Sequence, residues 1–338
     1  MVESPEKKPL RALSDFLAVF MGSGINTIHI LPFFPSSSDR GFSVIAYEEV
    51  DPNLGTWDDI EELSLRYRLM FDGVFNHVSA ASRLFQEFLN GNPNFSDFFV
   101  RFSTREQVSE DHLRLILRPR VNDLLTGFNT IGGRQYVWTT FGPDQIDLNF
   151  KNERVLARVV EILLYYVRRG ADIIRLDAIT YLWTELGTTC AHLQQTHVVV
   201  QLLRSILEIV APRVALVTEA NVTHEELVTY FGNGRNEAHM VYNFALPPLV
   251  LLAFQESKCE LLSRWAEKLQ NPSDTATYFN FLDSHDGVGL LPIKNIVSPE
   301  RIERMVRKAL THGGIVSYRE DSGETLAPTR STRPGTAP

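Results

Sequence analysis

Three residues in this 338-residue chain have types and spacing suited to chemistry on a polar substrate: Arg175, Asp177 and Glu219. Arg175 and Asp177 close the apolar run Gly170–Ala178, which reads as a buried strand. Side chains alternate along a strand, so residues two apart share a face. A guanidinium beside a carboxylate keeps that carboxylate ionised and fixed, as a nucleophile needs. An isolated Arg-x-Asp is more often a structural ion pair, so the reading depends on the company these residues keep. Glu219 follows the apolar Val214-Ala-Leu-Val217, a setting that would raise a carboxylic acid's pKa. Environments that push two carboxyl groups apart assign one as nucleophile and the other as acid. That pair suits retaining glycosidic chemistry, in which the two stand about 5 to 5.5 Å apart. Asp286 would orient sugar hydroxyls, with His77 and His285 as hydrogen-bond donors to them. Phe42 would be either a platform for a sugar face or a buried loop anchor.

The elements that must carry these groups alternate between strand and helix. A helix over Leu10 to Met21 stops at Gly22 and Gly24, and the β-rich run Thr27 to Phe33 follows. The polar loop Pro35 to Asp51 carries Asp39, Phe42 and Tyr47. Thr56-Trp-Asp-Asp59 has a capping pattern that opens a helix to about Tyr67, and Arg68 to His77 is a second strand. Residues 78–150 lose periodicity and read as an inserted, loop-rich subdomain, too long for an ordinary connection. Asn152 to Arg169 is helical, with Val155, Val159, Ile162, Leu163 and Val167 on one stripe. After the central strand come a helix from Gln195 to Val210, a strand from Arg213 to Ala220, and a short helix capped at Thr223. A strand from His239 to Phe244, helix over Pro248 to Gln270, a strand from Thr277 to Ser284 and a helix capped at Ser298 complete the pattern. About six strands are countable. The expected fold is α/β, an incomplete (β/α)8 TIM barrel with an inserted B domain. The expected divisions are 1–77 and 151–318 for the barrel, 78–150 for the insertion, and 319–338 as a disordered tail rich in Ser, Thr, Pro and Arg. Asp72, Asn76 and His77, then Arg175 and Asp177, then Glu219, then His285 and Asp286 all fall at C-terminal strand ends, the rim where barrel active sites form. Four such ends favour a shared polar pocket over independent structural roles.

Composition narrows the partners. Hydrophobic residues make up 44% of the chain, enough for a well-buried core, and 33 Lys and Arg stand against 41 Asp and Glu without long charge runs. That balance argues against nucleic acid and anionic membranes as partners and for a small polar substrate. Cys190 and Cys259 form no disulfide framework and have no metal-ligand spacing. With no apolar signal core at Met1 to Leu10 and no bilayer-length apolar run, a cytoplasmic location is expected. No cofactor is expected, and no metal either, since no dense cluster of oxygen ligands is visible.

Asp72-Gly-Val-Phe-Asn-His77, Gly170 to Ala178, Thr218-Glu-Ala220 and Leu282-Asp-Ser-His-Asp286 stand in the order of the four signature regions of the α-amylase superfamily, glycoside hydrolase family 13, and Gln145-Ile-Asp-Leu-Asn149 resembles the short motif of its inserted domain. The resemblance implies Asp177 as nucleophile, Glu219 as acid/base, Asp286 as transition-state stabiliser, and Arg175, His77 and His285 as sugar contacts. Pro32 to Phe42, Arg118-Pro-Arg120, Leu176 to Trp183 and Phe244 to Leu249 are most similar to the sucrose phosphorylase and glucosylglycerate phosphorylase branch. That similarity implies Asp39 and Phe42 at the donor glucose, and Arg120 and Tyr181 near the acceptor and phosphate. Asn221 resembles the glucosylglycerate members. The activity implied is retaining transfer of glucose from an α-glucoside to inorganic phosphate as co-substrate; hydrolysis or transglucosylation is the alternative. Members of the branch carry a strand before the helix at Leu10, an eighth barrel strand with a small C-terminal β domain, and an arginine paired with Asp39. The sequence shows none of these, so the expectation is a barrel open along one side, and a catalytically silent fragment is a second alternative.

Overall fold

The computed structural model describes residues 4–120, 122–321 and 324–332. In chain order the elements are α1 (Pro9–Phe16), β1 (Thr27–Ile30), α2 (Trp57–Ser64), β2 (Arg68–Gly73), β3 (His77–Ser79), α3 (Arg83–Leu89), β4 (Arg101–Phe102), α4 (Glu110–Leu115), β5 (Leu125–Thr130), β6 (Gly133–Trp138), β7 (Gln145–Asp147) and α5 (Glu153–Arg168). They continue as β8 (Ala171–Leu176), α6 (Gln194–Val210), β9 (Ala215–Thr218), α7 (His224–Leu227), β10 (Met240–Tyr242), α8 (Leu246–Glu256), α9 (Glu260–Ala266), β11 (Thr277–Phe279), β12 (Val288–Gly289), α10 (Pro299–Thr311), β13 (Ile315–Asp321) and β14 (Glu324–Thr332). Six parallel strands run in chain order, β1-β2-β8-β9-β10-β11, which is the incomplete (β/α)8 barrel that the alternating pattern predicts. Among the described residues no helix is long and apolar enough to cross a membrane.

The chain divides into two compact units, one within Met1–Ile116 and Asn122–Leu216, the other within Leu117–Val121 and Val217–Pro338; the boundary falls inside β9. In the first unit β1, β2 and β8 pack under aromatic side chains. Phe34 stacks on Tyr166 with centroids 5.1 Å apart, and Phe71 meets Phe33 edge-on at 5.0 Å. Tyr166, rather than the half-buried Val167, ends the buried stripe of α5, eleven residues after Val155 as a 3.6-residue period requires. Asn152 caps that helix by accepting from the Arg154 amide, and Gly170 supplies the left-handed turn (φ 89°) that leads into β8. Within the insertion β3 pairs antiparallel with β7, and β4, β6 and β5 form a small sheet over Val108, Leu124, Leu125 and Trp138.

In the second unit α8, α9 and α10 bury Leu249, Leu252, Trp265, Ile302 and Met305 against Ile293. The mostly helical stretch expected from Pro248 to Gln270 forms two helices, parted where Ser257 adopts a left-handed conformation (φ 54°). The segment predicted as a disordered tail also differs. Its described residues continue β13 and form β14, an antiparallel pair whose three-stranded sheet with β12 is separate from the parallel one. Ser and Thr suppress burial-driven prediction without opposing β conformation, and β-branched Thr325, Thr329 and Thr332 are compatible with it. Residues 322–323 and 333–338 of that prediction lie outside the described ones.

The β2–β8 pairing contains a register shift: Leu69 opposes Ala171 and Met70 opposes Ile173, so Asp172 is the extra residue. Its carboxylate occupies the gap in the ladder and accepts the fully buried Leu69 amide at 2.9 Å. Replacing Asp172 by Ala strands that N–H. The expected loss is about 1 to 3 kcal/mol of unfolding free energy, read by denaturant titration, with Asp172→Asn, which keeps an acceptor oxygen, recovering most of it.

Candidate active site

Parallel pairing sets Asp72 on β2 directly opposite Arg175 on β8. Both side chains are buried, at 0% and 3% exposure. One guanidinium nitrogen, Arg175 Nη1, donates to Asp72 Oδ1 at 2.5 Å and to Asp177 Oδ1 at 2.7 Å, so Arg175 and Asp177 do share a face, as their spacing predicts. His29 Nε2 on β1 lies 2.8 Å from Asp72 Oδ2. Burial alone would raise the Asp72 pKa, but the charges and hydrogen bonds of Arg175 and His29 outweigh it and hold the carboxyl below the usual range. Asp72 is therefore more than the loop anchor its position at a strand end suggests: it is the second carboxylate on the arginine that holds Asp177. Directly after Asp177, Ala178 takes a left-handed conformation (φ 51°), a strained turn for a residue with a Cβ. The Arg175 guanidinium lies 5.7 Å from the centroid of Phe42, whose ring is 8% exposed.

The loop bearing Asp39 and Phe42 is strained too. Asp39, Arg40 and Gly41 have φ of 51°, 54° and 108° in succession, and a Cβ at Gly41 would stand 2.6 Å from the Pro32 carbonyl oxygen. His77 Nε2 lies 2.8 Å from the Phe42 carbonyl oxygen, and its Nδ1 faces the Asn76 amide at 3.3 Å. Gln145 Nε2 donates to Asp39 Oδ2 at 3.0 Å and lies 3.1 Å from His77 Nε2. Phe141 stands with its ring 5.1 Å from His77 and 5.5 Å from Tyr181. Structure thus gathers Asp39, Phe42, His77, Arg175, Asp177 and Tyr181 in one neighbourhood. It adds Gln145 and Phe141, which residue-by-residue reading misses; Gln145 heads the Gln-Ile-Asp-Leu-Asn motif, the one signal that pointed to it.

In the second unit Glu219 follows β9 immediately, half-buried, and Asn221 lies two residues beyond. Asn221 Oδ1 is buried with no hydrogen-bond partner among the described residues, and Gly289 packs close by, so that a Cβ there would stand 3.0 Å from it. His285 Nε2 and Asp286 Oδ2 are 3.6 Å apart on the loop between β11 and β12, where the Ser284 hydroxyl accepts the Asp286 amide. Arg120 is exposed.

Behind His77, and paired with it in register, Asp147 is 2% exposed. Its carboxyl accepts from the Thr140 hydroxyl (2.6 Å), the Thr140 amide (3.0 Å) and the Asn76 amide (3.3 Å), none of them charged. Burial outweighs these bonds and pushes its pKa from 3.8 to about 7. The folded state then binds a proton that the unfolded chain releases, so this contribution to stability is complete at acid pH and is lost as pH rises from about 4 to about 7. Asp147→Asn should flatten that slope in denaturant titrations run across the range; an unchanged slope would assign it to other groups.

A family model described as alpha amylase, catalytic domain, matches residues 10–309. A glucosylglycerate phosphorylase of Allomeiothermus silvanus is 47% identical over 319 residues, 94% of this chain and 57% of that protein. One from Escherichia coli is 43% identical over 326 residues, 96% of this chain and 57% of that protein. The solved sucrose 6F-phosphate phosphorylase from Thermoanaerobacter thermosaccharolyticum superposes with a TM-score of 0.81 at 25% identity, covering 95% of this chain and 66% of that one. The chain thus spans little more than half the length of the curated relatives it matches. With a family match over residues 10–309 and a parallel sheet in barrel order, the chain belongs to the alpha-amylase catalytic-domain family.

Proposed function

We propose that the protein acts as a retaining α-glucosyl phosphorylase with a glucosylglycerate-type donor. One observation carries the choice of donor: three proteins named glucosylglycerate phosphorylase are 43 to 47% identical to this chain, against 28 to 30% for those named sucrose phosphorylase. In the first half-reaction the Asp177 carboxylate attacks the anomeric carbon while Glu219 donates its proton to the glycosidic oxygen; the bond to glycerate breaks and a glucosyl ester of Asp177 forms. In the second, the Glu219 carboxylate takes a proton from phosphate, a phosphate oxygen attacks the same carbon, and the ester releases Asp177. Two inversions retain the α configuration, and the product is α-glucose 1-phosphate. Arg175 holds the Asp177 carboxylate ionised and fixed for the attack. Asp286 and His285 hold sugar hydroxyls in the oxocarbenium-like transition state, Asp39 and His77 bind the far side of the ring, and Phe42 packs near it. Arg120, Tyr181 and Asn221 serve the glycerate and phosphate side.

Incubation with glucosylglycerate and phosphate should yield α-glucose 1-phosphate, and Glu219→Gln should slow it by about 10² to 10⁴-fold, the usual contribution of a general acid. Free glucose formed at a rate independent of phosphate would replace this reading with hydrolysis.

A further inference from the structure

The Asp39–Arg40–Gly41 run is a single distorted 3-10 turn whose backbone is left-handed at two consecutive non-glycine residues, Asp39 and Arg40. Conformations of this kind persist only where surroundings over-determine them. The surroundings here converge on one carboxylate of the insertion. Asp144 Oδ2 lies 2.5 Å from the Ser37 hydroxyl, 2.5 Å from Ser38 and 2.8 Å from Ser43, residues that flank the strained run on both sides. A hydroxyl has a single proton, so its other contacts must be made as an acceptor. Ser37 spends its proton on Asp144 and receives one from Ser79, 2.5 Å away and fully buried. The Asp144 carbonyl accepts the Ala80 amide at 3.0 Å, fixing the carboxylate to the segment after β3. The next residue, Gln145, holds Asp39 itself. Ionised acceptors make stronger hydrogen bonds than neutral ones, and three on one oxygen form a clamp across the seven residues from Ser37 to Ser43.

We infer that Asp144 is a positioning residue for donor binding: by gathering Ser37, Ser38 and Ser43 it holds the left-handed Asp39 run in the shape that presents Asp39 to the donor sugar. The donor part of this inference rests on the phosphorylase reading; the latch itself rests on the geometry alone.

Hydrogen exchange and steady-state kinetics on wild type, Asp144→Ala and Asp144→Asn test both parts. The amides of Ser37, Phe42 and Ile45 are hydrogen-bonded within the loop. In Asp144→Ala their exchange should accelerate about tenfold or more, the scale expected for loss of a charge-assisted bond, while amides of β2 and α5 exchange at the wild-type rate. The KM for glucosylglycerate should rise by about the same factor with kcat changed less than about threefold, as for an interaction equal in ground and transition states. Asp144→Asn, which keeps an acceptor oxygen, should lie between. Unchanged loop exchange would overturn the latch whatever the activity. Faster exchange in Asp144→Ala with KM unchanged would overturn the donor role, and faster exchange in Asp144→Ala alongside a wild type that converts no α-glucoside would remove the phosphorylase reading while leaving the latch supported.

Discussion

Arg175 shares one guanidinium nitrogen between two carboxylates in a place where water scarcely reaches. A buried guanidinium is tolerated only when paired, and taking away one partner of such an arrangement exposes the desolvation cost of the rest. Asp72 and Arg175 therefore fix each other, and both fix the register of β2 against β8. Asp177 joins that pair from the strand end, with side-chain exposure of 11% against 0% for Asp72. The division is useful for chemistry. The inner carboxylate anchors the cation, and the outer one is held by it while remaining partly exposed.

Around this anchor the backbone is strained where function would need it. Ala178 and the Asp39–Arg40 pair occupy the left-handed region, at a cost of roughly 1 to 3 kcal/mol each. Regular strands and helices hold the first position by its neighbours: Asp177 on Arg175, and the Asp177 amide on the Gly73 carbonyl at 3.2 Å. The second is held by side chains of the insertion, through Asp144 and Gln145. The insertion is thus tied to the Asp39 loop by charge and hydrogen bonds, and the Asp147 carboxyl lies in the same sheet pairing as His77.

Much of this was legible in sequence because local periodicity and tertiary burial agree. The Gly170–Ala178 strand, the shared face of Arg175 and Asp177, the caps at Thr56 and Thr223, and the six strands all follow from patterns with one physical cause. Asp72 was not legible as a partner of Arg175, because strand register between segments about a hundred residues apart leaves no local trace. Gln145 and Phe141 escaped for the same reason, being positioned by a loop-rich insertion with no period to read. Tyr166 was passed over for Val167, although the 3.6-residue period from Val155 favours it and Phe34 stacks on its ring. The β13–β14 pair was hidden by a polar composition that suits an edge hairpin as well as a coil.

The central claim is that Asp177, held by Arg175, is the nucleophile. Glu219→Gln treated with α-glucosyl fluoride tests it most directly, because fluoride leaves without an acid and the second half-reaction lacks its base. Mass spectrometry of the intact protein and of its peptides should find one glucosyl unit esterified to Asp177. An adduct on Asp286 or another carboxylate, or turnover of the fluoride by a variant lacking the Asp177 carboxylate, would contradict the account.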